Sequence, residues 1–325
     1  MIPALLFFIL PVLTFDSFAE VLPQKVWIDT DPSVGQKDRD VDDGLALIQS
    51  FHSRELKILG ISIVFGNTTL EHAYPIGQKI VQDFGPKGLR VYPGAAKGTD
   101  LGKESKATRA LEETLRSEKL TILALGPATN IATVLKNHPE LKNNIAEIVA
   151  VAGRRPGQRF TTGTKNKKAH RDFNFEQDPS AFQVILDSQV PLVLTPFEVS
   201  SQHWIKEADL KVLEKGGKAS RWIVPAARNW LALWKNVFAV DGFNPFDTLA
   251  VAYLTHRELL ECEDLPISIQ TLSDDTTEER MQGTKTPNKP YLLASKGLPS
   301  ANKAKYCFKA SPEFKKDLMA RLTEN

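Results

Sequence analysis

Residues 26–48 read VWIDTDPSVGQKDRDVDDGLALI, and their order decides the fold class. Val26–Thr30 is an apolar run that stops at Asp31-Pro32, the pattern of a buried strand with a polar tip. Asp42-Asp43 then open a segment with apolar residues at Leu45, Leu47, Ile48 and Phe51, which suits a helix over Asp42–Phe51. Acidic residues are favoured at a helix start, where free N–H groups and the helix dipole accept negative charge. Strand, acidic loop and helix make half of a βαβ unit.

The rest of the chain repeats that unit. Ile58–Phe65 reads as a strand ending in Gly66-Asn67, and Leu70–Phe84 as a helix. Leu120–Leu125 is a strand, followed by Gly126-Pro127 and a helix to about Lys136. Ile145–Val151 is a strand ending at Gly153, and a helix at Pro179–Ser188 precedes a strand at Val190–Thr195. Strands alternating with helices at this spacing predict an α/β fold with a mostly parallel central sheet flanked by helices, a Rossmann-like open sheet. The C-terminal third is less regular. A Trp-rich helix is expected over Arg221–Val240, with Pro225 near its first turn, and another over Phe246–Leu254. From about Pro266, two or three strands and a last helix, Pro312–Leu322, complete the chain. Gly153–Arg171 is long, polar and Gly-containing, as binding loops often are.

Composition sets the outer limits. The 325 residues are 42% hydrophobic and 25% charged, enough for a sizeable core in one large or two smaller domains. A formal charge of +2 gives no reason to invoke nucleic acid, and the basic run Lys165–Lys168 with Arg171 reads as a solvated loop. Ile2–Phe15 is almost wholly apolar, and Ser17-Phe18-Ala19 has the small-x-small pattern of a cleavage site, so residues 1–19 read as a secretory signal peptide and not a membrane span. A periplasmic or secreted protein is the corresponding expectation. In an oxidising compartment Cys262 and Cys307 could pair; two buried free thiols fit the sequence equally.

In an open parallel sheet, ligands bind beyond the carboxyl ends of the strands. Asp29, Asp31, Asp42 and Asp43 follow the first strand and Asn67 the second. Thr129 and Asn130 follow the Leu120 strand, Asn166, Asp172 and Asn174 the Ile145 strand, and Asp247 opens a later helix. Any one Asp alone reads as a helix cap, but so many carboxylates at one sheet edge repel one another. Raised pKa values or a hard cation can relieve that repulsion. Oxygen ligands without nearby Cys or His favour calcium or magnesium over zinc.

These residues resemble a known family. Asp29-Thr30-Asp31-Pro32 with Asp42-Asp43-Gly44-Leu45-Ala46-Leu47 is similar to the N-terminal signature of inosine–uridine-type nucleoside hydrolases. Val64-Phe65-Gly66-Asn67, Leu125-Gly126-Pro127-Ala128-Thr129-Asn130, Asp172-Phe173-Asn174 and Asp247 ahead of Ala250-Val251-Ala252-Tyr253 resemble its later motifs, in order. There are departures. The insert Ser33–Val41 separates the two halves of the first motif and carries Asp38 and Asp40, which leaves the choice of ligand there open. Asp172 stands where the family has Glu. Phe246 stands where many members have His, and Lys97–Asp100 where some carry a His-rich loop.

The resemblance implies a single domain over residues 20–325, commonly assembled as dimers or tetramers, that hydrolyses the N-glycosidic bond of ribonucleosides. It implies a calcium-bound water activated by Asp31 as general base. Asp31, Asp43, Asp247 and the Leu125 carbonyl would be the metal ligands, with Asp42, Asn67 and Asn174 on the ribose hydroxyls and Asn166 and Asp172 on the 5′ side. Trp230 and Trp234, four apart on one helix face, would stack on the base; an aromatic core stripe is the alternative. His170 is the one histidine in a plausible active-site loop, where a solvent-facing imidazole is the plain expectation. Two rival readings share some features: a non-catalytic nucleoside or ribose receptor, and a haloacid-dehalogenase-type phosphatase, whose strand also ends in Asp-x-Asp. The latter leaves Asn67, Asp172, Asn174 and Asp247 without a role.

Overall fold

A computed structural model describes residues 22–165, 169–276 and 287–324. The signal-peptide reading at 1–19 and Asn166 fall outside the described residues. The first half runs β1 (Gln24–Thr30), α1 (Asp42–Phe51), β2 (Leu56–Ile63), α2 (Leu70–Phe84), β3 (Val91–Pro93), α3 (Lys106–Ser117), β4 (Leu120–Ala124), α4 (Thr129–Asn137) and β5 (Ile145–Ala150). Then come α5 (Phe173–Gln177), α6 (Pro179–Ser188), β6 (Leu192–Leu194), α7 (Phe197–Ser200), α8 (Glu207–Leu213), α9 (Lys218–Phe238) and α10 (Thr248–Thr255). The tail adds β7 (Leu260–Ser273), β8 (Asn288–Ala294), β9 (Lys303–Ala310) and α11 (Glu313–Thr323).

One nine-stranded sheet carries the order β3-β2-β1-β4-β5-β6-β9-β7-β8. Every pair from β3 to β9 is parallel, and β7 is antiparallel to both β9 and β8. The first six positions have the doubly wound order, in which the chain reverses direction across the sheet between β1 and β4. That reversal opens a crevice at the carboxyl ends of these two strands, where the polar residues collect.

Alternation along the strands builds a core on each face. Val26 and Ile28 of β1 and Leu123 of β4 join the cluster under α1, α2, α9, α10 and α11. Trp27 of β1 and Ile122 and Ala124 of β4 join the opposite cluster under α3, α4 and α6. Trp27 is buried completely. Its Nε1 donates to Ser62 Oγ at 2.9 Å, and its ring stacks on Tyr92. A Cβ at Gly60 would stand 2.3 Å from the indole, so glycine on β2 is what lets the ring lie flat there.

Several expectations shift. The second strand starts and ends two residues early, at Leu56 and Ile63, and Phe65 beyond it donates its N–H to the Ala95 carbonyl at 3.1 Å. The Trp-rich helix begins at Lys218, which puts Pro225 in its interior and not near its first turn. The tail strands begin at Leu260, ahead of Pro266. The helix α3 escapes the sequence reading; Ser105 and Thr108 form its capping box, and Leu111 and Leu115 bury its apolar face. Cys262 and Cys307 are paired residues of neighbouring β7 and β9 and are joined by a disulfide.

Candidate active site

The crevice floor is acidic and buried. Asp29 lies near the end of β1 and Asp31 just beyond it, both fully buried; Asp42 and Asp43 open the first turn of α1; Asp247 is the N-cap residue of α10. Carboxylate oxygens of Asp42, Asp43 and Asp247 lie within 4.8 Å of one another. Asp31 is tied to this group: its backbone N–H donates to Asp43 Oδ1 at 3.0 Å, and Thr30 Oγ1 donates to the same oxygen. Asn67 Nδ2 donates to Asp43 Oδ2 at 3.2 Å. The cluster thus brings Asp42, expected on the ribose, as close as the expected metal ligands Asp43 and Asp247.

Asp31 has two unequal oxygens. Its Oδ2 accepts from the backbone N–H of Asn67 at 2.6 Å, while Oδ1 is buried with no partner among the described residues. A Cβ at Gly66 would stand 2.0 Å from Oδ2, and one at Gly126 would stand 2.7 Å from Oδ1. Only glycines leave space for the carboxylate, which explains Gly66 and Gly126 in the loops after β2 and β4. Asp29 lies deeper. Its Oδ1 accepts from Ser62 Oγ and, at 2.8 Å, from Asn130 Nδ2, so it fastens β1 to β2 and α4.

Burial sets the electrostatics. It pushes Asp29 up to about 7 and Asp43 to about 6. It pushes Asp31, Asp42 and Asp247 well above the carboxylate range, and repulsion among the cluster pushes further, chiefly from Asp43 on Asp31 and Asp247 and from Asp247 on Asp42. An all-oxygen set with mutual repulsion and an unpaired oxygen at Asp31 suits a hard divalent cation, which would take the place of protons.

Polar groups line the crevice above this floor. Asn174 Nδ2 donates to the carbonyls of Leu125, at 2.6 Å, and Val151, at 3.2 Å. Asp172 accepts from Gly153 N at 2.8 Å and is pushed up to about 7 by burial, against the pull of Arg154. The insert is part of the site. Asp38, Arg39 and Asp40 line the cavity, and Asp40 Oδ1 accepts from the N–H groups of Val41 and Asp42, at 2.6 and 3.1 Å. Asp40 therefore supports the start of α1, a role the sequence left open.

The cavity holds about 380 Å³ and is lined by Asp42, Asn67, Leu125, Asn174 and Asp247 at one end and by aromatics at the other. Trp230 and Trp234 both line it, and Trp234 also belongs to the core, so the stripe borders the cavity and the core at once. The stripe continues to Phe238, eight residues after Trp230, a signal present in the spacing but not used. Phe160 and Phe197 come from other segments. His170 differs from its expectation as a solvent-facing residue: the ring is half-buried, 5.0 Å from Phe238 and 6.0 Å from Phe197, on the cavity wall.

The profile of a family described as inosine-uridine preferring nucleoside hydrolase matches residues 26–296. A pyrimidine-specific ribonucleoside hydrolase, RihA, of Salmonella dublin is 28% identical over 71% of this chain and 81% of its own length. A plant nucleoside hydrolase, PpNRh1, superimposes with a TM-score of 0.74 at 18% identity, covering 93% of this chain and 100% of the other. A purine-preferring ribonucleoside hydrolase from Gardnerella vaginalis does so with a TM-score of 0.71 at 21% identity, covering 92% and 98%.

Proposed function

The chain belongs to the inosine-uridine preferring nucleoside hydrolase family, and from that premise we propose that it hydrolyses ribonucleosides to free base and ribose with calcium and Asp31. The observation that carries the reading is the unpaired Oδ1 of Asp31 beside the Asp42, Asp43 and Asp247 cluster. Asp31, Asp43, Asp247 and the Leu125 carbonyl would hold the ion. When bound, calcium supplies a positive centre that orients the ribose hydroxyls and the attacking water.

The residues supply the remainder. Asp31 is anchored through Oδ2 and accepts the proton of the attacking water on Oδ1. As the base departs, positive charge builds on the ribose, as in glycoside hydrolysis generally, and the ring of carboxylates is complementary to it. Asp42, Asn67 and Asn174 hold the ribose hydroxyls, Asp172 and Asn166 the 5′ side, and Trp230 and Trp234 the base. The apolar stretch at residues 2–15, together with the Cys262–Cys307 disulfide, supports export to an oxidising compartment.

The test is incubation of the chain with inosine, adenosine, guanosine, uridine and cytidine, with calcium or with chelator, and chromatography of free base. Calcium-dependent release that disappears in Asp31→Ala is the expected result. Tight nucleoside binding without release would overturn the catalytic reading in favour of a receptor.

A further inference from the structure

The aromatic end of the cavity closes on itself through one imidazole. Ring centroids step from His170 to Phe197 at 6.0 Å, to Phe246 at 6.0 Å, to Trp234 at 6.1 Å, to Phe238 at 5.3 Å, and back to His170 at 5.0 Å. All five line the same cavity as the carboxylates. The backbone of His170 is tied to the Phe160 segment. The backbone N–H of His170 donates to the Phe160 carbonyl at 2.6 Å, Phe160 stacks on Phe197 at 4.7 Å, and the Arg154 guanidinium lies 4.0 Å over the Phe160 ring. Buried polar atoms are nearly always paired, yet His170 Nε2 is buried without a partner among the described residues. The indole N–H groups of Trp230 and Trp234 are also buried and unpaired, but they can only donate. Of the five ring members, Trp234 can offer only its indole N–H and the three phenylalanines offer neither group, whereas His170 can present an N–H or a lone pair according to its tautomer.

We propose that His170 is the leaving-group contact of this enzyme: its Nε2–H donates a hydrogen bond to a ring nitrogen or carbonyl oxygen of the departing nucleobase while the aromatic rings hold the base plane. The proposal rests on the nucleoside-hydrolysis reading. When the C1′–N bond breaks, its electron pair stays on the base. Oxygen of the attacking water bonds to C1′, the water proton goes to Asp31, and the base takes its proton from solvent. His170 stays neutral throughout and stabilises the charge that develops on the base. Burial holds the imidazole below its ordinary pKa, so the neutral form is the one at hand near pH 7.

The experiment compares His170→Phe and His170→Gln in the full, calcium-loaded chain. Inosine and uridine are set against 4-nitrophenyl β-ribofuranoside, whose phenolate departs without help. The Phe variant keeps the packing and is expected to lose about 10²-fold in kcat on the nucleosides, with a much smaller loss on the nitrophenyl riboside. The Gln variant, whose amide N–H can reach the same place, is expected to recover part of that loss. Equal losses on both substrate classes, no loss on nucleosides, or a Gln variant as slow as the Phe variant would each overturn the proposal. A native chain that turns over the nitrophenyl riboside and no nucleoside would also overturn it. A native chain inert on every substrate would overturn the hydrolase reading itself, a result distinct from the other four.

Discussion

The backbone N–H of Asn67 donates to Asp31 Oδ2 at 2.6 Å and leaves Oδ1 of the same carboxylate buried without a partner. One oxygen is thereby fixed by a loop from β2, and the other is left without a partner inside the acidic floor. Asp31→Asn keeps the shape and removes the basic oxygen. Base release is expected to fall by about 10³-fold or more while the fold persists. Without metal the variant is expected to melt at the same temperature as the native chain or higher, because one member of a repelling buried cluster is gone. A lower melting temperature in chelator would show that Asp31 holds the crevice together and does not strain it.

Asp29 and Asp172 are pushed up to about 7 and Asp43 to about 6, all by burial first. A carboxyl whose folded pKa lies above its unfolded value stabilises the fold while protonated and loses that contribution as pH rises through the folded value. In chelator, melting temperature is therefore expected to fall between about pH 5 and pH 7.5. Glu55, held below the ordinary range by Arg321, stays ionised across that window and does not mask the trend. Saturating calcium should flatten or reverse it, since metal binding needs ionised carboxylates, and should add about 2.7 kcal/mol at a hundred times Kd. Differential scanning fluorimetry with and without calcium reads both effects; a chelator curve that rises with pH would contradict the electrostatics of the floor.

The Cys262–Cys307 disulfide ties β7 to β9 on the far side of β6 from the crevice. Replacing both residues by Ala is expected to cost about 2–4 kcal/mol, mainly by loosening the unfolded-state constraint across a 45-residue separation. Nucleoside turnover at 25 °C should be unaffected. Urea melts and initial rates on the same preparations check the two halves of this expectation.

The acidic floor was legible because its parts are short-range patterns. Strand-end carboxylates and the Asp42-Asp43 helix start are each visible within a few residues, and the doubly wound alternation puts their loops at one sheet edge. The aromatic ring was not legible, because His170, Phe197, Trp234 and Phe246 come from four segments far apart in sequence that only the tertiary fold brings together. Nothing in the local sequence of the tail orders β9 between β6 and β7. The part of Asp40 was hidden for another reason. Its carboxylate looks inward to the N–H groups of Val41 and Asp42, a choice that spacing cannot distinguish from metal ligation.

Phe246 and His170 both stand 6.0 Å from Phe197, so two positions border one chamber and only one carries an imidazole. Phe246 also directly precedes Asp247, which holds its end of the chamber against the carboxylate floor. An imidazole there would reach the base from the floor side. In a His170→Phe background, Phe246→His is expected to restore nucleoside turnover by about tenfold or more, with optimal rate moving toward the pKa of the new histidine. Replacing a half-buried ring by a smaller one costs packing, so a modest drop in melting temperature should accompany the gain. Rescue would mean that the chamber needs one imidazole and tolerates either origin. A folded double variant that still turns over 4-nitrophenyl riboside but gains nothing on nucleosides would mean that the acceptor edge of the base faces the His170 side alone, and base preference would then be set by which edge each nucleobase can turn toward that residue.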